Sequence, residues 1–128
     1  MYKFGERSIN RLKGVHPDLV RVLEEAITAS PHDFAISEGL RTLERQKELY
    51  AARKSTTMRS RHLTGHAVDI VVYDEAGKVT WDIAYYRRVT DHIKIVAKLC
   101  DVELEFGIDW KSFVDGPHIQ LPWKKYPK

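Results

Sequence analysis

Cys100 is the chain's only cysteine among 128 residues. That scarcity excludes an internal disulfide and any thiolate-rich zinc knuckle, and it suits folding in a reducing compartment. Long apolar runs are missing too. No window approaches the roughly 18 consecutive apolar residues needed to span a bilayer, and Met1-Tyr2-Lys3-Phe4-Gly5-Glu6-Arg7 lacks the apolar region of a signal peptide. There are only 7 Gly and 5 Pro, with no repeat, low-complexity tract or linker. At 43% hydrophobic and 30% charged residues, the composition is globular and not disordered. Neither charge sign dominates, since 21 Lys+Arg against 18 Asp+Glu leave a net +3. The excess biases encounters toward anionic polymers. The only basic cluster is Lys124-Lys125-Tyr126-Pro127-Lys128, and no recognised nucleic-acid motif accompanies it, so no nucleic-acid partner is expected.

What is present reads as one domain over residues 1–128 with one core. Residues 1–14 are expected to be an irregular lead-in, broken by Gly5 and Gly14. Pro17 suits the first turn of a helix carrying Leu19, Val20, Leu23, Ala26 and Ile27, stopped by Ser30-Pro31-His32-Asp33. Phe34 to Leu40 reads as a short strand. Thr42 can cap a second helix with Leu43, Gln46, Leu49 and Tyr50 at helical spacing, which puts Arg41 at a strand-to-helix junction. Arg53 to Arg59 reads as an exposed loop, and His66 to Tyr73 as the central strand. After the turn Asp74-Glu75-Ala76-Gly77, Lys78 to Trp81 returns as a strand. A helix over Ile83 to Cys100 follows, then short strands over Val102 to Phe106 and His118 to Leu121. This order predicts an α+β fold, a small antiparallel sheet packed with helices.

The chemistry concentrates in Ser60-Arg61-His62-Leu63-Thr64-Gly65-His66-Ala67-Val68-Asp69. His62 and His66 have the i, i+4 spacing of a zinc-binding helix. However, Leu63 stands where the general-base Glu of His-Glu-x-x-His belongs, and the following Val68, Ile70, Val71 and Val72 favour a strand. On a strand, His66 and Asp69 point to opposite faces, so at most one of them serves a site. His62 is free to approach Asp69, with Gly65 supplying the turn between them. Without thiolates, a metal would take His and carboxylate ligands. The best further candidate is His118, which follows Asp115-Gly116-Pro117 and so pairs an imidazole with a carboxylate that could take a proton. His16, His32 and His92 read as surface or hydrogen-bonded residues, Cys100 as a core thiol, and Trp110 and Trp123 as core or rim.

Three blocks in order resemble a known family. Ser60-x-His62-x-x-Gly65-x-Ala67-x-Asp69 is similar to the signature of the LAS-type zinc peptidases, which comprise D-alanyl-D-alanine carboxypeptidases, D,D-dipeptidases and phage endolysins. Glu38-Gly39-Leu40-Arg41-Thr42 with Gln46 resembles their upstream segment. Gly107-Ile108-Asp109-Trp110 with Asp115-Gly116-Pro117-His118-Ile119-Gln120-Leu121 resembles their C-terminal block. The set most resembles the L-alanyl-D-glutamate endopeptidases, from about Phe4 to Leu121.

The resemblance implies a zinc-dependent peptidoglycan hydrolase binding one Zn2+ through His62, Asp69 and His118. It implies Asp115 as general base and Arg41 near the polarised carbonyl oxygen or a substrate carboxylate, with weaker substrate contacts from Ser60 and Gln46. His66 falls outside the zinc shell. Ile108 departs from the pattern, where relatives often carry glycine, and could narrow the cleft or alter the backbone's approach. D-Ala-D-Ala carboxypeptidase or dipeptidase activity, and a non-catalytic zinc or wall-binding module, are the alternatives. A single catalytic domain without a separate wall-binding domain is expected, acting as a monomer. The expected location is the host cytoplasm, with the wall reached through a separate membrane pore.

Overall fold

The computed structural model describes residues 2–54, 60–111 and 114–127. In chain order the elements are helices α1 (Glu6–Arg11) and α2 (Pro17–Thr28), strand β1 (Phe34–Glu38), α3 (Leu43–Ala51), a 3-10 turn (Arg61–Thr64), β2 (Ala67–Tyr73), β3 (Val79–Thr80), α4 (Ile83–Leu99), β4 (Glu105–Phe106), a second 3-10 turn (Gly107–Asp109) and β5 (His118–Gln120). The strands form one antiparallel sheet in the order β1-β2-β5-β4, with β3 also paired to β2. The expected α+β class holds.

The sheet has two unlike faces because β2 alternates. Val68, Ile70 and Val72 turn inward and are fully buried, together with Phe34 and Ile36 of β1 and Ile119 of β5. Against that face pack α2, through Leu19, Val22, Leu23, Ala26 and Ile27, and α4, through Tyr86, Val89, Ile93 and Ala97. Full burial of each Leu, Ile or Val side chain in this layer is worth about 1.5–3 kcal/mol. Asp69, Val71 and Tyr73 point to the other, half-exposed face. That leaves a rigid floor on which side chains can be held without being swallowed by the core.

Caps stand where local chemistry asks for them. Thr42 accepts from the Arg45 amide at the start of α3, Asp82 accepts from Ala84 at the start of α4, and His16 Nδ1 accepts from the Asp18 amide at α2. Several expectations need correction. The lead-in is not irregular, because α1 forms there: its Ser8 is buried and accepts the Ile36 amide of β1, while Ile9 stays exposed, so no apolar stripe announced it. In α3 the expected apolar face is also wrong. Leu43 and Tyr50 are exposed and Gln46 is the residue turned inward. The strands expected over 78–81 and 102–106 shrink to two residues each. His62 lies in a 3-10 turn that ends at Gly65. Most of the loop expected over Arg53 to Arg59, namely 55–59, lies outside the described residues.

Candidate metal centre and active site

Three neighbouring strands bring the acidic and imidazole groups into one row. Asp69 on β2 faces His118 on β5 and, across its other edge, Glu38 on β1. Glu38 reaches that place through a register shift. Ile36 pairs with Ile70 and Glu38 with Asp69, so β1 spends one extra residue there, a bulge that re-aims its end. The 3-10 turn then lays His62 over Asp69. Ser60 starts that turn by accepting the His62 amide, and Gly65 ends it at φ +77°. A Cβ on Gly65 would stand 2.2 Å from the Gly14 carbonyl oxygen, so only glycine lets the chain turn there toward β2.

At the centre of the row, His62 Nε2 and His118 Nδ1 each lie 3.2 Å from Asp69 Oδ1. One ligand atom from each of the three residues lies within 4.8 Å of the others. The outer ring nitrogens are committed elsewhere. His62 Nδ1 donates to the Gly39 carbonyl at 2.8 Å, and His118 Nε2 donates to Gln120 Oε1 at 2.7 Å. In the neutral rings both inner nitrogens therefore carry lone pairs. Two lone pairs and a carboxylate oxygen converge with no donor among them, an arrangement that calls for a positive charge. Ligand atoms held at about 2.0–2.2 Å on a tetrahedral ion sit about 3.3 Å apart, close to both observed separations. The residues present fit a metal ion.

The electrostatics agree. Burial would raise the Asp69 carboxyl, but the His118 and His62 rings, which once protonated donate to it, hold it well below the usual carboxylate range. Burial would lower His118, but the Asp69 hydrogen bond and charge raise it. Both shifts favour negative charge on Asp69 with positive charge beside it.

Asp115 stands beside this centre on the turn leading into β5. Its amide donates to the Gly107 carbonyl and its own carbonyl accepts from His118, so base candidate and ligand share one rigid turn. Burial, then the charge of Asp69, raises its carboxyl above the ordinary value. Its side chain makes no hydrogen bond to a described residue and is free to take a proton. On the opposite side, Arg41 is gripped by Glu38 through Nε at 3.1 Å and through Nη2. Its Nη1 donates to Gln46 Oε1 at 2.6 Å and, at the limit of 3.5 Å, to Ser60 Oγ. One Nη2 hydrogen remains for a ligand.

The structure thus gathers His62, Asp69, His118, Asp115 and Arg41, with Ser60 and Gln46 behind Arg41. Gln46 is fully buried and holds Arg41 from beneath, so it does not reach the cleft surface. His66 turns away, its Nδ1 2.6 Å from Thr64 Oγ1. Ile108 sits in the hydrophobic core, 3% exposed, and so does not narrow the cleft. Trp110 lies against the His118 ring at 5.2 Å, and Trp123 lies over Arg61, whose guanidinium is 4.1 Å from the indole. Sequence reasoning assigned no role to Glu38, Gly39, Gln120 or Glu105. Their work depends on cross-strand neighbours and backbone carbonyls, which no spacing in the chain reveals.

An α+β domain whose open sheet face aims two imidazoles and a carboxylate at one point, with a second carboxyl beside it, is built as a metal-dependent hydrolase. The chain belongs to the phage L-alanyl-D-glutamate peptidase family, whose model matches residues 1–121. It is 31% identical to the L-alanyl-D-glutamate peptidase of Escherichia phage T5, over 94% of this chain and 98% of that protein. It is 36% identical to the Listeria phage A118 enzyme of the same name, over 98% of this chain but only 43% of that longer protein. Among solved structures, the Serratia marcescens L-Ala D-Glu endopeptidase ChiX superposes with TM-score 0.92 at 47% identity, covering 98% of this chain and 94% of that one. The vancomycin-resistance D,D-dipeptidase VanXYg shares the fold, with TM-score 0.53 at 17% identity, over 84% of this chain and 50% of that one.

Proposed function

We propose that this protein is a zinc endopeptidase that cuts the L-alanyl-D-glutamate amide in the peptide stem of bacterial peptidoglycan, in the manner of a phage endolysin. The observation that carries the reading is the convergence of His62, Asp69 and His118 on one point, with both outer ring nitrogens already donating. The names of the phage relatives and of ChiX support the choice of bond.

His62, Asp69 and His118 would hold one zinc ion. When bound, the ion polarises the scissile carbonyl and lowers the pKa of a water toward neutrality. Asp115 accepts the proton of the attacking water and returns it to the leaving amine. Its raised pKa brings it nearer to that double task than an ordinary carboxyl. Arg41 directs its remaining N–H toward the developing oxyanion or a substrate carboxylate. One such preorganised donor is typically worth about 3 kcal/mol in the barrier. Glu38 and Gln46 keep the guanidinium from swinging away, and Ser60 fixes the turn that carries His62. The protein acts on the wall after leaving the host cytoplasm through a separately made membrane pore. Among the described residues, no helix is long and apolar enough to cross a membrane.

The test is digestion of purified peptidoglycan, with and without chelator, followed by mass analysis. Fragments with a new D-glutamate amino terminus, lost on chelation, are expected. Released D-alanine would shift the assignment to carboxypeptidase or dipeptidase action. Intact wall with a zinc-loaded protein would make it a binding module.

A further inference from the structure

The two histidines are held from behind in different ways. His62 donates to a backbone carbonyl, that of Gly39, which is acceptor-only and cannot turn round. His118 donates to a side-chain amide, Gln120 Oε1, and an amide can present either its oxygen or its NH2. Were it reversed, the NH2 would face His118 Nε2 and demand a lone pair there. The ring proton would then move to Nδ1 and point at Asp69, closing the ligand position.

One group decides the orientation. Glu105, opposite Gln120 in the β4–β5 register, accepts from Gln120 Nε2 at 2.9 Å. A carboxylate only accepts, so the NH2 must face Glu105, the amide oxygen must face His118, and the proton must sit on Nε2. Gln120 is buried, 7% exposed, while Glu105 lies at the exposed edge of the sheet. The charge of Glu105 also acts on Arg61, where it offsets the burial that lowers that guanidinium. Arg61 in turn holds the chain after β5 by donating to the Leu121 and Tyr126 carbonyls.

We infer that Glu105 is a positioning residue for the metal centre, acting through Gln120 as an orientation lock that keeps His118 in the one neutral tautomer able to bind metal through Nδ1. The inference rests on the metal-centre reading of His62, Asp69 and His118, but its key measurement needs no metal.

The conservative variant Glu105→Gln replaces an acceptor-only group by one that can also donate, so the lock opens with little change of shape. Nitrogen-15 NMR of the metal-free protein, well above the ring's pKa, reads the His118 tautomer directly. Zinc affinity is read by chelator competition. Wild type is expected to show the proton on Nε2. Glu105→Gln should populate the Nδ1–H form and bind zinc about 10-fold more weakly, at the lower end of the usual 10–100-fold effect of such outer partners. The double variant Glu105→Gln/Gln120→Glu puts the acceptor-only group directly against His118 and should restore both the tautomer and the affinity. Its recovery would also exclude misfolding as the cause of the single variant's loss. A Glu105→Gln protein that keeps the wild-type tautomer overturns the inference, whatever its affinity, as does a double variant that fails to regain the tautomer. Absence of zinc binding in wild type would instead sink the metal reading and leave the tautomer result standing.

Discussion

Gly107 sets the position of Asp115, and replacing it by alanine should separate turnover from metal binding. Its φ is not in the left-handed region, so the penalty is purely steric. The added Cβ would stand 2.2 Å from the Asp115 carbonyl oxygen and 3.0 Å from the Asp115 Cβ, where ordinary contact begins at 3.4 Å. The obstacle is backbone, and it is tied twice: the Asp115 amide donates to the Gly107 carbonyl, and the Asp115 carbonyl accepts from His118. The turn must therefore retreat by about 1 Å, and a displacement of that size at a reacting group can cost about 100-fold in rate. That factor corresponds to about 2.7 kcal/mol in the barrier. His62 and Asp69 lie on other elements and His118 is held in the β2–β5 ladder, so the metal content should match that of wild type. The assay is kcat on a soluble stem-peptide substrate, paired with metal analysis of the same preparation. Turnover within about threefold of wild type would refute the claim that this glycine places the base.

Three further outcomes follow from the same geometry. Asp115→Ala should keep the metal but lose about 10²–10⁴ in kcat, whereas His118→Ala should lose metal and turnover together; single-turnover kinetics with metal analysis tells them apart. Chelation should lower the melting temperature, because zinc at about 1,000 times its Kd adds about 4 kcal/mol to the native state; a melting curve indifferent to chelator would argue against a site preformed in the fold. The Tyr126 hydroxyl donates to Asp18 at 2.7 Å, and that hydrogen bond pushes its pKa up to about 12. A raised folded-state pKa adds stability that is fully present below the unfolded value of about 10 and is lost as pH rises toward 12. Thermal melts of Tyr126→Phe should therefore fall less steeply than wild type across that alkaline window.

Much of the architecture could be read along the chain because it rests on local rules. The stripe in α2, the cap at Thr42, the β-branched run of β2 and the Asp74–Gly77 turn each depend on neighbours within a few residues. Other elements rest on contacts that no local rule encodes. Helix α1 shows no apolar stripe because its inward contact is the Ser8 hydroxyl, which accepts the amide of Ile36 on a strand 28 residues away. Gln46, read as one step of an apolar face, is buried because a guanidinium from outside the helix needs its oxygen.

The candidate site divides along the same line. Strand parity over the expected strand His66 to Tyr73 separates His66 from Asp69, and Gly65 leaves His62 able to fold back, so covalent geometry and side-chain alternation settle which half of the His-rich stretch could matter. That half lacks a third group and a base. Only the pairing of β2 with β5 brings His118 from 49 positions away to 3.2 Å from Asp69. Only the bulge in β1 turns Glu38 onto Arg41. The roles of Gly39, Gln120 and Glu105 are likewise tertiary, since which nitrogen of each histidine is free depends on what lies behind the ring. Sequence determined which residue types could bind a metal here; the sheet decided which atoms face it, because lone pairs are directional and their direction is set by partners far away in the chain.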